Sequence, residues 1–321
     1  MDKLLSIIIP TVNRCEYLKR TVEHLLPQII RNIDDIEFII CSNSCTDNTS
    51  EYVNELKKHN NFIHFYHFDE FVPICDSFSR SIGTSSGKYI ILWGDDDLAS
   101  PFVIDFILYQ IKSNPNLGLL HYNVAVGTDL CYDININRVE NTRYSKDITR
   151  EPLKTFLTTH AGTCGFITSM VFLREAWEKG IKYQKKNHYG YEFLYVIYHG
   201  LVGKECVYCN YPMVIQRMPM KRAWLNKWPL YGYIGLPTLL HDLDSDGLSI
   251  GSFEHWNNTN NSFYSYLIAL LYASSDKKFY RPHCKEIALN QRSKIRKMLA
   301  YIIIYTFPSF FVNFLRKIFH K

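Results

Sequence analysis

The sequence lacks the two glycine-rich loops that most often hold nucleotide phosphates. No Gly-x-Gly-x-x-Gly follows the first apolar run, at residues 4–10, so the fingerprint of a dinucleotide-binding fold is absent. No Gly-x-x-x-x-Gly-Lys-Ser/Thr is present either, and this excludes a P-loop nucleoside triphosphatase. Any nucleotide site in this chain therefore has another design.

The chain also lacks a paired cysteine pattern, since its nine cysteines are odd in number and scattered. Cys206 and Cys209 fall in a predicted strand, where side chains three residues apart point to opposite faces. No second pair accompanies them, so we do not expect a zinc site. No leader of the signal-peptide type is seen, and we therefore expect reduced thiols and a cytoplasmic location.

Linkers, repeats and low-complexity stretches are absent as well. At 321 residues and 47% hydrophobic content, the chain can bury a sizeable core as one large or two small domains. Predicted strands at 4–10, 36–41, 62–66 and 88–93 alternate with amphipathic helical patterns. Strands and helices that alternate in this way imply βαβ crossovers. We therefore predict an α/β fold, with a mostly parallel, doubly wound sheet flanked by helices.

The fourth predicted strand runs directly into three consecutive carboxylates, Asp95, Asp96 and Asp97. Open α/β sheets build their ligand crevice at this end of the strands. With no basic residue nearby in sequence, the three charges would repel one another unless a cation lay among them. Oxygen ligands favour Mg²⁺ or Mn²⁺. The alternative is an acidic turn that caps a helix starting near Pro101, with Asp97 or Ser100 as the N-cap.

Three motifs in order resemble family 2 glycosyltransferases of the GT-A fold. They are SIIIPTVNR at 6–14, EFIICSNSCTDNT at 37–49 and SGKYIILWGDDD at 86–97. The resemblance implies transfer of a sugar from a nucleoside diphosphate donor. It also implies that the end of the first strand and the turn after it hold the nucleotide, through Pro10, Thr11, Asn13 and Arg14.

The resemblance assigns roles to the carboxylate triplet too. It implies that Asp95 and Asp96 contact the donor, and that Asp96 and Asp97 bind the Mn²⁺ or Mg²⁺ carried by the diphosphate. Gly94 stands where many members have the first aspartate. This Gly-Asp-Asp-Asp form resembles an abequosyltransferase-like subgroup of surface polysaccharide synthesis.

The chain departs from the family after the second strand. Ser42 and Asn43 stand where members commonly have an acidic residue that contacts the nucleobase. A hydroxyl or an amide can still hydrogen-bond a base edge, but uridine specificity does not follow from the resemblance. We also predict that Asp76, on the helix predicted at 74–82, binds the nucleotide sugar.

Transfer to a hydroxyl needs a general base within hydrogen-bond reach. In the family an acidic residue in a Gly-Glu-Asp-like segment plays this role, and HYGYEFL at 188–194 occupies that place here. Glu192 is its only carboxylate and is the predicted catalytic base; the alternative is a surface glutamate on an amphipathic helix. His188 is predicted on the acceptor side and is a second candidate base.

Two further segments are predicted to line the site. The resemblance places the stretch with Gly165 and Phe166 on the acceptor side, although a plain turn explains it nearly as well. Arg217, Lys221 and Arg222 follow the last predicted strand and could offset the charge of the diphosphate. A solvated basic loop is the competing interpretation.

Positive charge is concentrated at the C-terminus. Residues 277–321 carry eleven Lys and Arg against Glu286 alone, whereas the rest of the chain is net acidic. A basic tail on an acidic body favours a local partner surface and not nucleic acid. An apolar run at 298–315 with cationic flanks predicts an in-plane anchor at an anionic membrane, on the inner face of the cell membrane. The alternative is a final helix packed on the body.

Together these features predict a nucleotide-sugar-binding half at 1–120, an acceptor-binding half at 121–220 and a helical, basic, membrane-associating extension at 221–321. The expected reaction is metal-assisted, inverting transfer to a glycan acceptor that is lipid-linked. A sugar-nucleotide pyrophosphorylase would need a glycine-rich loop after the first strand, which is missing. A non-catalytic membrane-bound subunit that binds sugar nucleotides remains the alternative.

Overall fold

The structure, a computed structural model, describes residues 3–128, 136–139, 147–185, 187–218, 227–259 and 261–308. Its strands are β1 (Leu5–Thr11), β2 (Ile36–Asn43), β3 (Ile63–Phe68), β4 (Tyr89–Leu92), β5 (Leu98–Ala99), β6 (Leu117–Thr128), β7 (Ile136–Val139), β8 (Ile148–Pro152), β9 (Met170–Leu173) and β10 (Glu205–Met218). They form one mixed sheet in the order β3-β2-β1-β4-β9-β6-β10-β5, with β7 beside β6 and β8 beside β10.

The helices are α1 (Cys15–Arg31), α2 (Thr49–His59), α3 (Ile74–Ile82), α4 (Val103–Ser113), α5 (Leu153–His160), α6 (Arg174–Gly180), α7 (Glu192–Gly200), α8 (Trp228–Leu230), α9 (Leu236–Ser245), α10 (Ser252–Thr259), α11 (Phe263–Ser275), α12 (Lys277–Leu289) and α13 (Lys294–Thr306). The chain divides into two compact units. The first comprises Met1–Phe156, Thr163–Gln184 and Phe193–Met218, and the second Leu157–Gly162, Lys185–Glu192 and Pro219–Lys321.

The predicted alternation of strands and helices is confirmed. β1 pairs in parallel with both β2 and β4, and β2 pairs in parallel with β3. The strands that follow make the sheet mixed, because β9 runs antiparallel to β4 and β6. The fold class is the predicted α/β type, with a helical C-terminal region.

Burial on both faces explains why these segments form central strands. Every residue of β4 is buried, as is all of β1 apart from the half-buried Pro10. Apolar side chains on both faces suit a strand that is covered by helices on either side. The register places Ile8 opposite both Ile39 and Leu92. The carboxyl ends of β1, β2 and β4 therefore lie at the same edge of the sheet.

The alternative prediction of a helix cap in the carboxylate segment is wrong. α4 begins at Val103 and its N-cap is Phe102, so neither Asp97 nor Ser100 caps it. The segment instead enters the sheet through β5, and the N–H of Ser100 donates to the carbonyl of Met213 at 3.0 Å. The carboxylate turn is consequently flanked by strands on both sides.

The second unit contains its own helical core. Within the apolar run predicted at 298–315, α13 ends at Thr306, and Ala300, Ile303 and Ile304 are buried in a cluster with residues of α11 and α12. The same helix leaves Met298 and Ile302 exposed. Residues 309–315 lie outside the described part of the chain. Among the described residues, no helix has the length and apolar character to cross a bilayer.

Candidate active site

The turn that carries the three aspartates is held by three hydrogen bonds to its backbone carbonyls. The N–H of Asp97 donates to the carbonyl of Gly94 at 3.2 Å, and the indole N–H of the buried Trp93 donates to the carbonyl of Asp97 at 3.1 Å. Thr21 on α1 donates its hydroxyl to the carbonyl of Asp95 at 3.0 Å. The backbone of the turn is thereby fixed, and the three carboxylates differ in what surrounds each of them.

Asp97 is the most enclosed of the three. It is 3% exposed, and its carboxylate accepts a hydrogen bond from Thr168 Oγ1. The same hydroxyl accepts the N–H of Gly94 at 2.8 Å. Burial raises the pKa of Asp97 well above its usual value, and the negative charge of Asp96 acts in the same direction. Asp97, a predicted metal ligand, is therefore a buried acceptor that ties its turn to Thr168.

Arg14 neutralises the other two carboxylates. Its Nη1 lies 2.8 Å from Asp95 Oδ1, and its Nη2 donates to Asp96 Oδ2. Thr11 Oγ1 donates to the second oxygen of Asp95 at 2.7 Å. Burial raises the pKa of Asp95 to about 6 against the opposing effects of Arg14 and Thr11. Part of the positive charge that three adjacent carboxylates require thus comes from Arg14, in the loop between β1 and α1.

A second arginine and an aromatic ring adjoin this cluster. The guanidinium of Arg14 lies 4.9 Å from the ring centroid of Tyr17, and that of Arg217 lies 5.4 Å from the same centroid. Arg217 is 8% exposed, and its Nη1 has no hydrogen-bond partner among the residues that the structure describes. A buried donor of this kind is costly unless a ligand satisfies it. The predicted Lys221 and Arg222 lie outside the described residues.

The carboxylates suit a divalent cation that arrives together with phosphate oxygens. In the described part of the chain, no three His, Cys, Asp or Glu side chains converge into a metal cage. Asp96 has the most accessible carboxylate of the triplet, at 19% side-chain exposure against 6% for Asp95. Mg²⁺ sites commonly use one or two carboxylates and complete their coordination with substrate phosphates and water. This donor set fits such a site.

The loop after β1 is tied to the loop after β2 through Asn13. This residue has a φ of +52°, which asparagine tolerates better than most side chains. Its Oδ1 accepts the N–H groups of Thr46 at 2.7 Å and Asp47 at 3.3 Å. Asp47 in turn accepts the N–H of Cys15 at the start of α1, at 2.9 Å. Asn13 thereby helps to hold the strand end that carries Arg14.

Ser42 and Asn43 lie at the end of β2, as predicted, but their side chains already have protein partners. Ser42 Oγ is 3.0 Å from His67 Nδ1. Asn43 Oδ1 accepts from Arg80 at 2.7 Å and from the N–H of Val72 at 3.1 Å, and its amide donates to the carbonyl of Val72 at 2.9 Å. The amide of Asn43 thus anchors the loop between β3 and α3.

The remaining predicted residues of the first unit are Asp76, Gly165 and Phe166. Asp76 is exposed in the first turn of α3. Gly165 and Phe166 are half-buried, directly before the short 3₁₀ turn Ile167–Ser169. That turn carries Thr168, so the predicted acceptor segment adjoins the carboxylate turn through the Thr168 hydroxyl.

Glu192 and His188 belong to the second unit. Glu192 begins α7, is partly exposed, and accepts the N–H of Gly190 through Oε2 at 2.7 Å. His188 is fully buried, and its Nε2 is 3.0 Å from Asp242 Oδ2. Burial lowers the pKa of His188 although Asp242 opposes the shift. The carboxyl of Glu192 is therefore more accessible than the imidazole of His188.

Two residues of the site escaped sequence reasoning. Neither Tyr17 on α1 nor Thr168 in the 3₁₀ turn Ile167–Ser169 belongs to a motif that marks it in the sequence. Tyr17 contacts Arg217, and Thr168 bonds to Asp97, which are far away in sequence. The spacing of three between Arg14 and Tyr17 was the one available indication, because such residues are neighbours on a helical turn.

Parallel strands that end in carboxylates and arginines define an α/β protein with a polar site at the strand ends, where this class binds its ligands. The model of glycosyl transferase family 2 matches residues 6–171, more than half of the chain. The chain belongs to glycosyl transferase family 2.

Two relatives with assigned names match parts of the chain. The glycosyltransferase GlyG of Streptococcus pneumoniae is 27% identical over 133 residues, which are 41% of each chain. The abequosyltransferase RfbV of Salmonella typhimurium is 25% identical over 182 residues, which are 54% of each chain. The chain thus spans about half the length of the curated relatives it matches.

Solved structures share the fold across nearly the whole chain. TarS 1-349 from S. aureus, in complex with UDP-GlcNAc, has a TM-score of 0.56 at 10% identity and covers 93% of this chain and 86% of its own. The mannosyltransferase PcManGT from Pyrobaculum calidifontis, in complex with GDP-Man and Mn²⁺, has a TM-score of 0.55 at 11% identity, with 100% and 88% covered. At these identities the likeness establishes the fold, which is the predicted GT-A type.

Proposed function

We propose that this protein transfers a sugar from a nucleoside diphosphate sugar to a hydroxyl of a glycan acceptor, by a single inverting displacement. One observation carries the proposal: Arg14 bridges Asp95 and Asp96 after β4, and the guanidinium groups of Arg14 and Arg217 both lie beside the ring of Tyr17. Such a cluster offers cations to a diphosphate and a carboxylate to a metal ion. Family membership and neighbours in complex with UDP-GlcNAc and GDP-Man support the same donor class.

On the donor side, the two arginines hold the diphosphate. Arg217 brings a buried guanidinium whose Nη1 lacks a partner among the described residues, and phosphate oxygens are suitable acceptors for it. Thr11, Asn13 and Pro10 shape the pocket for the nucleoside, beside Ser42 and Asn43. A divalent cation bound through Asp96, with Asp97 behind it, would act as a Lewis acid on the leaving diphosphate.

On the acceptor side, Glu192 removes the proton of the attacking hydroxyl. A general base has to lie within hydrogen-bond reach of the hydroxyl that it deprotonates. Glu192 is partly exposed, and its bond to the N–H of Gly190 orients the carboxylate at the start of α7. Gly165 and Phe166 are proposed to contact the acceptor, and His188 is proposed to stiffen the segment before Glu192 through Asp242.

The acceptor is proposed to be lipid-linked, at the cytoplasmic face of the membrane. Lys294, Met298, Ile302 and Tyr305 are exposed and follow one another at intervals of four, four and three on α13. This spacing places a cation and three large apolar groups on one face of the helix. An amphipathic face with positive charge binds anionic lipid surfaces. The resemblance to an abequosyltransferase favours surface polysaccharide synthesis as the process.

The experiment that tests the donor proposal is a thermal-shift screen of the full chain with UDP, GDP, CDP and dTDP, each with and without Mn²⁺. We expect one nucleotide to raise the melting temperature more in the presence of Mn²⁺, and Asp96→Asn to remove the metal-dependent part. The matching nucleotide sugar should then release nucleoside diphosphate slowly in water. Binding without any release, with or without a glycan acceptor, would favour a non-catalytic subunit.

The membrane proposal is tested by cosedimentation with vesicles that contain anionic phospholipid. Met298→Glu/Ile302→Glu should abolish cosedimentation, because both substitutions place negative charge on the exposed face of α13. Ile250→Glu is the control, since Ile250 belongs to the same unit and is more exposed, at 68%, than Met298 at 55% and Ile302 at 44%. Deleting α13 would be a poorer test because Ala300 and Ile304 are part of the helical core. A full chain that ignores vesicles of every composition would refute the anchor.

A further inference from the structure

Arg14 occupies the place that a metal ion needs. Its guanidinium bridges Asp95 and Asp96, with Nη1 on Asp95 Oδ1 at 2.8 Å and Nη2 on Asp96 Oδ2. Asp96 is also the carboxylate of the triplet that a cation from solvent reaches most easily. A divalent cation bound to Asp96 would compete with Nη2 for the same oxygen and repel the guanidinium at close range. Arg14 and the metal therefore compete for the negative charge of Asp96.

The backbone of Arg14 is fixed, but its side chain is not enclosed. The residue lies between β1 and α1, and its backbone is fixed because its carbonyl accepts the N–H groups of Tyr17 and Leu18 at 3.0 Å each. Its side chain retains 35% exposure and stacks on the face of Tyr17. The buried Arg217 lies 5.4 Å from the centroid of the same ring. The guanidinium can therefore turn away from Asp96 toward a diphosphate while it keeps its contact with the ring.

We propose that Arg14 is an internal counter-cation that holds the metal position in the donor-free protein and moves to the diphosphate when metal and donor arrive together. This inference rests on the proposed function. It predicts that the metal alone binds weakly, because it must displace Arg14 without offering the guanidinium a new anion. It also predicts that nucleotide and metal strengthen each other's binding by the same factor, as linkage requires.

The inference is tested by Mn²⁺ titration of the full chain, with free Mn²⁺ measured by electron paramagnetic resonance in the absence and presence of UDP or GDP. For the wild type we expect the effective nucleotide to tighten Mn²⁺ binding by about tenfold or more. Arg14→Gln should tighten binding of Mn²⁺ alone by about tenfold, and the coupling between Mn²⁺ and nucleotide should shrink. Arg31→Gln is the charge control, because Arg31 is exposed on the same helix α1.

Arg14→Lys keeps the charge but loses the two-pronged geometry of the guanidinium, so it should fall between wild type and Arg14→Gln. It also provides the test if Arg14→Gln does not fold, which a circular dichroism melt reports. Unchanged affinity for Mn²⁺ alone in both variants would overturn the role of Arg14, while nucleotide-dependent Mn²⁺ binding by the wild type would still support the proposed function. If no protein binds Mn²⁺ under any condition, both the metal proposal and this inference fail.

Discussion

The carboxylate of Asp97 lies directly over the α-carbon of Gly94. A Cβ at position 94 would come within 2.2 Å of Asp97 Oδ2 and 3.1 Å of Thr168 Oγ1. The enclosed position of Asp97 is the reason that a side chain does not fit at position 94. The packing of the Asp97 carboxylate therefore requires a glycine at position 94.

Gly94→Ala should destabilise the protein by about 1–3 kcal/mol, because the added methyl group forces Asp97 away from Thr168. Urea unfolding measures the loss. Thr168→Val removes the same hydrogen bond without adding bulk, so the double variant should lose less than the two single losses combined. Additive losses would show that Gly94 and the Asp97–Thr168 pair act independently.

Asp96→Asn should abolish sugar transfer and leave the fold intact. The amide keeps the shape of the side chain, yet it is a poor ligand for a divalent cation and a weaker partner for Arg14. Initial rates with and without EDTA, together with a melting curve, measure the effect. Asp34→Asn is the control, since Asp34 is exposed at the opposite end of the sheet, before β2. Near-normal, EDTA-insensitive activity of Asp96→Asn would rule out the metal assignment.

Glu192→Gln should lower turnover roughly 10²–10⁴-fold with little change in donor affinity. Glutamine can still accept the N–H of Gly190, so the segment before α7 keeps its anchor. It cannot accept the proton of the acceptor hydroxyl. Steady-state rates and donor titrations separate the two effects, and Glu178→Gln on the surface of α6 is the control. Weaker donor binding at normal turnover would move the base elsewhere, with His188 tested next.

The stability of the protein should fall between pH 7 and pH 5 because of His121. This residue is 1% exposed, with Nε2 3.2 Å from Thr163 Oγ1 and Nδ1 3.1 Å from the carbonyl of Ser169. Burial lowers its pKa to about 4. Between this value and the ~6.5 of an unfolded chain, the unfolded state binds the proton and the folded state does not. Stability is therefore retained above this window and lost as the pH falls through it.

The expected contribution of His121 is about 2 kcal/mol between pH 7 and pH 5. Urea unfolding at the two pH values measures it, and His121→Asn should reduce the difference by this amount. His24→Gln should leave the pH dependence as it is in the wild type, because His24 is exposed on α1. An equally steep pH dependence in His121→Asn would assign the effect to other groups.

Much of the fold follows from patterns that are local in sequence. The apolar runs and the helical spacing between them predicted the alternation of strands and helices, because hydrophobic periodicity reflects which faces a segment can bury. The carboxylate triplet after the fourth strand predicted where the ligand site lies. The membership in glycosyl transferase family 2 was also visible in three motifs. The prediction that the basic C-terminal run is helical is confirmed up to Thr306.

The partners of the carboxylates were decided by the tertiary structure alone. Sequence inspection found no basic residue near Asp96, yet Arg14, 82 positions away, bonds to it. The parallel pairing of β1 with β4 brings the two loops together, and no local pattern encodes that register. The same holds for Thr168, which reaches Asp97 across 71 positions. On α13, packing against α11 and α12 likewise decided which apolar residues are buried and which remain exposed, since side-chain chemistry is similar on both faces.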